Sequence, residues 1–576
     1  MVDHLHVVII DNLSKYKTII SLPRLRRSGI SMSKRHAYFN WFRLIKSFAS
    51  HGNFFYSLTF NKMKKEKDWF KLKRYPHIGF PLEAKDRYIW IEKYITNPKN
   101  IAKHSFLPFI HKTYSQRKFR KEYSEDSGVV IKSKIKNYDI EKTLRKADVK
   151  NREIYYAGHL DALVYSYYSQ VLSGKYNQKL YELNLENSIT AYRSIPINPE
   201  KENSSNKCNI DFANDIFKTI LESQDDNLVV MAFDISSFFD NLDHKILLEI
   251  WMEIMEVEKL SNDHFNVYKN ITRFSYIDQV ELFEAFKDKI WVERNVQFTN
   301  RKTHVQKNIS KIKFLRNQGA VAFCKPEDYF KNRKKFTHQL KHKKPEFPEQ
   351  KRNYGIPQGS PISSILANLY LIHFDKTIND FVSKNGGVYS RYSDDMVTVC
   401  SVDLKVELES LVYSEIEKYK LEIQKKKTQI FYFKKDNEKL ICGQEFLEKI
   451  NWDKNFIYLG FEFDGQNVFL KSASLSGYYR KMKRTIRRGR HFENKKGSKT
   501  KGEFFKGRIF KKYSYKGAKR NSKWLWDEKE NKFVKSETYN WGNFLSYAYK
   551  ASKVMINNKI KCQTKRHWRK LNDLIK

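Results

Sequence analysis

Three acidic residues frame the chemistry open to this sequence. Asp394 and Asp395 are adjacent within Arg391-Tyr392-Ser393-Asp394-Asp395, and Asp234 closes the unbroken apolar run Leu228-Val229-Val230-Met231-Ala232-Phe233. A hard divalent cation such as Mg2+ prefers six oxygens and is usually held by one or two carboxylates, with substrate phosphates and water completing the shell. Two such ions on shared carboxylates can activate a hydroxyl, stabilise a transferring phosphoryl group and hold the leaving group. The expected chemistry is therefore nucleotidyl transfer on two Mg2+ ions, with Mn2+ as a substitute. Its ligands would be Asp234, Asp394, Asp395 and the backbone of Ile235. A Tyr-x-Asp-Asp run alone is weak, occurring by chance in roughly one chain in twenty of this length, so the surrounding elements must carry the reading.

The apolar run 228–233 has strand length and β-branched composition, which predicts a buried central strand with Asp234 at its carboxyl end. After Gly386-Gly387, residues 388–392 and 396–400 read as two short strands joined at Ser393-Asp394-Asp395, a hairpin with its acids at the tip. Laid beside the first strand, the hairpin brings Asp394 to Asp234. Asp395 is expected to be less direct, because successive residues of an extended chain point to opposite faces. The plain alternative makes Asp394 and Asp395 turn residues and Asp234 a helix cap. Asp240, Asn241 and Asp243 precede the apolar-periodic stretch Ile246 to Met252 and read mainly as helix-entry residues.

A length of 576 residues predicts several lobes. The net charge of +44, the pI near 9.7 and 15% aromatic residues call for a polyanionic partner, since Lys and Arg neutralise phosphate while rings stack on bases. No stretch approaches the ~18 apolar residues of a spanning helix, and Val7 to Ile10 is the only apolar run at the amino terminus. Neither a membrane span nor a secretory signal is expected. The five cysteines are far apart and make no paired metal-ligand spacing, which suggests a reducing cytosol. Within 251–350, the Arg301 to Arg316 stretch and the Lys331 to Lys344 cluster fit either a nucleic-acid channel or a solvated insertion. Residues 481–520 hold 17 Lys plus Arg against two Glu, a run that is usually disordered or solvated when free and that could grip a nucleic-acid backbone.

Taken in order, these residues resemble the motifs of reverse transcriptases. Asp234-Ile-Ser-Ser-Phe238-Phe239-Asp240-Asn-Leu-Asp243-His244 resembles the first palm motif, and Gly355-Ile-Pro357-Gln358-Gly359-Ser360-Pro361 with Leu366-Ala367-Asn368-Leu369-Tyr370-Leu371 the second. Asp394-Asp395 sits in the third. Leu421-Glu-Ile-Gln424-Lys-Lys-Lys427-Thr428 resembles the fourth, with Gln424 where Asn is more usual, and Tyr458-Leu459-Gly460-Phe461 the primer grip. The resemblance implies an α+β, right-hand polymerase of fingers, palm and thumb, with a ferredoxin-like palm and a largely helical amino-terminal extension and thumb. It implies Phe239 beneath the incoming sugar, Gln358 and Gly359 beneath the templating pair, Lys427 near the leaving pyrophosphate, and Leu459 and Gly460 on the primer. Lys150 and Arg152, from a segment resembling the fingers hairpin, would clamp the triphosphate, an arginine fork suiting phosphate oxygens. Arg193 joins the nucleotide contacts, and the partners are dNTPs, an RNA template or noncoding RNA, and the DNA product.

Ala191-Tyr192-Arg193, followed by Asn209-Ile210 and Phe212-Ala213, resembles a motif of the bacterial unknown-group and abortive-infection reverse transcriptases linked to phage defence. With Tyr75-Pro76-His77-Ile78-Gly79-Phe80-Pro81 and Tyr513-Ser514-Tyr515-Lys516-Gly517, it points to the second enzyme of a two-polymerase (type 3) defence system. A cytoplasmic protein with a second reverse transcriptase, or a further copy of itself, as partner is implied. The expected organisation is an extension at 1–120, fingers at 121–225, palm at 226–250 and 351–468, an insertion at 251–350, and a basic thumb and tail at 469–576. Template-independent or protein-templated synthesis of a simple repeat stays open, as does a non-catalytic RNA-binding scaffold. The retained acids argue against the scaffold.

Overall fold

The strand Asn227–Asp234 is apolar throughout because its side chains feed two cores. Val229, Met231 and Phe233 join one cluster, and Leu228 and Val230 the other, as the two-residue period of a strand requires. In the computed structural model this strand lies in an antiparallel sheet of six. The order is Val388–Tyr392, Asp395–Ser401, Asn227–Asp234, Gln429–Asp436, Lys439–Phe446, Lys449–Asn451. Helices Ser363–Tyr370, Ile372–Lys384 and Lys405–Lys418 bury Leu366, Phe374 and Val412 in the first cluster. The second cluster takes the helix Asn209–Glu222, the three-stranded sheet Phe456–Tyr458, Phe461–Phe463, Val468–Leu470, and the helix Phe544–Val554. Each fully buried aliphatic or Phe side chain contributes about 1.5–3 kcal/mol, so a strand filling two cores holds its carboxyl end firmly.

The structure describes residues 69–121, 132–135, 138–200, 204–295, 302–339, 353–446, 449–497, 501–518, 522–527, 532–539 and 542–576, all within one compact unit. Most of the amino-terminal extension, Arg301, residues 340–344 of the second basic cluster and 498–500, 519 and 520 of the basic run 481–520 lie outside them.

Strands Phe109–Lys121 and Arg145–Tyr156 form a long antiparallel pair, joined by Ser275–Asp278 and His338–Gln339 into one sheet. The expected boundary between extension and fingers at 120/121 therefore falls inside a strand. A second sheet pairs His77–Ile78 with Ala320–Cys324, followed by Ile290–Asn295 and Lys302–Lys307, so the segment around residue 77 and the insertion fold as one body. The helix His159–Glu182 starts on Asp161, a buried carboxylate that accepts from Leu107 N–H and His104 Nε2, both at 2.9 Å. Of the amino-terminal aromatics, Trp69, Tyr94 and Phe106 pack on the main core, whereas Trp90 and Tyr114 are exposed.

In the carboxyl-terminal region, Ser472–Asn494 buries Tyr478, Met482 and Ile486 at four-residue spacing and exposes Lys481, Lys483, Arg484, Arg487 and Arg488. Residues 522–539 contain a two-stranded ribbon within the segment expected to be helical. The end of the chain is three helices, Phe544–Val554, Ile560–Thr564 and His567–Ile575, where one was expected. The break has a cause: Val468 N–H donates to Asn557 O and Lys559 N–H to Val468 O, so 557–559 extends the edge of the small sheet. Among the described residues, no helix is long and apolar enough to cross a membrane.

Candidate active site

Tyr392 pairs with Asp395, which leaves Ser393-Asp394 as a two-residue turn. Ser393 takes φ +64°, the left-handed region that side chains rarely adopt. Across the next ladder Asp395 stands directly opposite Asp234, and directly opposed residues of an antiparallel pair share a face. Asp395, expected to be the less direct of the two acids, thus shares a face with Asp234, because the left-handed turn interrupts the extended chain just before it. Asp394 is tied in through its backbone, its carbonyl accepting from Ile235 N–H at 3.4 Å.

The Asp395 carboxyl is pushed up to about 6, first by the protein enclosing it and then by the negative charges of Asp394 and Asp234, with Lys471 and Lys427 pulling the other way. Its side chain still reaches solvent, so it is walled in on most sides rather than covered. Lys427 Nζ lies 3.1 Å from Asp234 Oδ1. The turn carrying Lys427 is set by Asp234 itself, whose carbonyl accepts from Gln424 N–H at 2.8 Å. Among the described residues, no group of three or more His, Cys, Asp or Glu is gathered at metal-holding distances. The set nevertheless suits a divalent ion, being hard carboxylate oxygen with an ammonium already seated against one member.

Behind the turn lies a buried network. The fully buried Arg391 donates from Nε to Asp375 Oδ1 at 2.7 Å and from Nη2 to Asp375 Oδ2 at 2.5 Å. Its Nη1 donates to Asn368 Oδ1 and Ser393 O, both at 3.2 Å. Asn368 Nδ2 donates to Ala191 O at 2.9 Å, Arg391 N–H to Ser188 O at 2.8 Å, and Thr190 N–H to Arg391 O at 3.0 Å. Tyr192, exposed and at φ +62°, meets Ser393 Oγ through its hydroxyl at 2.9 Å. Helices Ser363–Tyr370 and Ile372–Lys384, with residues 188–192, thus grip the turn that presents Asp394. Sequence reasoning missed Asn368, Asp375 and Tyr192 as parts of the site. The available signal was an arginine in a short strand packed on the core, where only a buried partner makes the charge tolerable.

Leu459 at φ +43° and Gly460 at φ +95° form a tight hairpin turn between Tyr458 and Phe461. Asn209 Nδ2 donates to Leu459 O at 3.1 Å and to Tyr547 Oη at 3.0 Å, coupling this turn to two helices. Lys471 N–H donates to Gly460 O, which places the turn in the neighbourhood of Asp395. Phe238 is buried, while Phe239 is only half-buried. Gly359 lies at φ +119°, and a Cβ there would stand 2.7 Å from Tyr155 O. Tyr155 N–H in turn donates to Gln358 O at 2.8 Å. This close approach joins the loop to the strand Arg145–Tyr156, a reason for glycine beyond the template contact expected. Lys150 and Arg152 are exposed on that strand, two residues apart and so on one face. Arg193 is engaged elsewhere: Nε donates to Asn177 Oδ1 at 2.9 Å, and Nη1 to the carbonyls of Glu186 and Ile189, each at 2.6 Å. Asp243 caps the helix His244–Ile254, accepting from Lys245 and Ile246 N–H, as the helix-entry reading expects.

Residues 288–463 match the family described as Reverse transcriptase (RNA-dependent DNA polymerase). The chain carries a reverse transcriptase domain. The matched stretch mixes helices and strands, and domains of the matched family use divalent metal ions. The matched stretch is under a third of the chain. It includes Gln358, Gly359, Asp394, Asp395, Lys427, Leu459 and Gly460 of the reverse transcriptase domain; Asp234 precedes it and reaches the site through strand pairing. Among solved structures, apo telomerase from Candida tropicalis truncated from its C-terminal domain is 12% identical, with a TM-score of 0.32 over 56% of this chain and 52% of that one. Telomerase from Candida albicans in complex with a fragment of telomeric RNA is 11% identical, at 0.28 over 69% and 54%. Apo telomerase from Candida tropicalis is 13% identical, at 0.31 over 84% and 69%. The chain spans about half the length of the first two. No curated protein matches the chain in sequence.

Proposed function

We propose that the protein is a reverse transcriptase that copies RNA into cDNA by two-metal nucleotidyl transfer. What supports the reading is that Asp395 stands opposite Asp234 across the central sheet, with Asp394 beside it accepting through its carbonyl from Ile235 N–H. In this reading Asp234, Asp394, Asp395 and the Ile235 carbonyl hold two Mg2+ ions, which when bound supply Lewis acidity to the transferring phosphate and lower the pKa of the primer hydroxyl. Lys427 moves from Asp234 to the pyrophosphate, where its ammonium offsets leaving-group charge and can give up a proton. Arg152 and Lys150 clamp the triphosphate, the ring of Phe239 excludes a 2′-hydroxyl, Gln358 and Gly359 support the templating pair, and Leu459 with Gly460 seats the primer. Arg193, committed to the loop behind, is left out of the nucleotide contacts.

We further propose a cytoplasmic role in bacterial antiphage defence, with a noncoding RNA and a second reverse transcriptase as partners. What supports this is the resemblance of the Ala191-Tyr192-Arg193 segment and the flanking motifs. The test is to purify the native protein, supply Mg2+ and labelled deoxynucleotides singly and together, and sequence both product and co-purifying RNA. A product complementary to a discrete bound RNA is expected. A simple repeat unrelated to any bound RNA would overturn RNA-templated synthesis. Asp394→Asn is expected to abolish incorporation while leaving RNA affinity within about twofold, because removing a metal ligand does not touch the basic surface; continued synthesis by that variant would remove Asp394 from the metal site.

A further inference from the structure

We infer that the outer face of the insertion sheet, built around Phe80, Trp291 and His304, is a docking platform for single-stranded RNA outside the catalytic cleft. This rests on the proposed RNA-templated reading and adds a second place where RNA is held. Three segments distant in sequence converge here. The Phe80 ring stacks on His304 with centroids 4.5 Å apart and planes 6° from parallel, and meets Trp291 edge-on at 5.2 Å. The Lys325 ammonium sits 5.3 Å from the centre of the Trp291 ring.

Strand register explains why these rings gather. Trp291 is opposite Gln306 and Glu293 is opposite His304, so all four lie on one face of the hairpin, while Ile290 and Val292 turn to the other and enter a core with Ile78, Leu282 and Phe283. Phe80 and Trp291 take no part in that core, and both rings, with His304, remain partly exposed. Of the acids near these rings, Glu293 is neutralised by Lys302 at 2.6 Å and Arg74 at 3.7 Å, and Glu83, within electrostatic reach of His304, by Lys85 at 2.8 Å. Between Lys302 and Thr337 ten Lys and Arg residues stand against two acids. Half-exposed rings within a strongly basic surface suit a polyanion whose bases are free to stack, and duplex bases are not. The same charge makes the face a poor fit for a neutral or basic protein.

The experiment uses full-length protein carrying Asp394→Asn, so that binding is read without synthesis. Trp291→Ala and His304→Ala are titrated with a fluorescent, unstructured oligouridylate and with a blunt RNA duplex, and bound oligouridylate is crosslinked by ultraviolet light and the peptides mapped. Single-strand affinity is expected to fall about tenfold per ring removed, with duplex affinity unchanged and crosslinks on peptides containing Phe80, Trp291 or His304. Should a ring variant fail to fold, Lys325→Glu on the surface gives the same comparison. Native single-strand affinity in a folded variant, or crosslinks confined to palm and thumb, would overturn the platform. So would a variant that binds RNA normally but changes self-association in sedimentation, which would make the face a protein contact. If the platform behaves as expected while the native chain makes no cDNA, the polymerase reading fails and the binding site stands.

Discussion

As pH rises through about 6, Asp395 loses its proton, because protein enclosure and the charges of Asp394 and Asp234 hold its carboxyl above the ordinary carboxylate range. The sign for folding follows: a carboxyl raised in the folded state favours folding most at low pH, and that contribution is lost as pH rises through about 6. Metal binding runs the other way, since the cation takes the ionised form and displaces the proton. The Mg2+ midpoint for incorporation should therefore fall by up to about tenfold per pH unit below this pKa and level off above it. Read as direct Mg2+ binding rather than incorporation, that slope should flatten in Asp395→Asn, and a slope identical in the two proteins would mean that another group titrates. Phe239 gives a second test at this scale. Its half-buried ring, beside a fully buried Phe238, is free on one side, so Phe239→Ala is expected to raise ribonucleotide use relative to deoxynucleotide use at least tenfold in single-turnover incorporation, a methylene-scale steric discrimination being worth ~1–3 kcal/mol. Unchanged selectivity in an active variant would place the sugar elsewhere.

At the scale of elements, the hairpin depends on a pair of charges that water never reaches. Arg391→Met alone strands Asp375 in the core and should cost about 3–5 kcal/mol in urea denaturation, whereas Arg391→Met with Asp375→Leu removes both charges and should recover most of it. Incorporation should stay depressed in the recovered double variant, because Ser393 O still lacks its donor and Asp394 is less firmly presented. Full activity there would reduce the network to stability alone. The hairpin itself was legible in the sequence: two short strands after Gly386-Gly387 and a central strand ending in an acid follow from local composition, whereas Leu459-Gly460 entered only through the resemblance to the primer grip. The network was not, because Arg391, Asp375, Asn368 and residues 188–192 meet only after the palm closes, and their spacing along the chain carries no period. The pairing of Asp395 with Asp234 was hidden for a related reason, since one left-handed residue, Ser393, interrupts the alternation that holds on both sides of it. Arg193 shows the converse, a motif arginine whose fork is engaged by Asn177 and two carbonyls of its own neighbourhood.

For the whole molecule, the charge of +44 foretold a polyanion but not where it would be gripped. The structure separates two basic regions with different geometry: the helix Ser472–Asn494, amphipathic with arginines on the face opposite Met482 and Ile486, and the insertion sheet with its stacked rings. Phosphate neutralisation releases counterions, so affinity falls linearly with salt on logarithmic axes, by roughly 0.9 per phosphate contacted on duplex DNA and roughly 0.7 on a single strand. Because Arg484, Arg487 and Arg488 are exposed on one helix, replacing all three with Ala should lower the slope for a primer-template duplex by about two to three, with thermal stability nearly unchanged. The same variant should keep its slope for unstructured RNA if single strands are held by the insertion sheet. A titration of native and variant protein with both ligands across salt tests this directly. Equal losses on the two ligands would mean that one continuous basic surface serves both, and an unchanged duplex slope would remove this helix from the backbone grip.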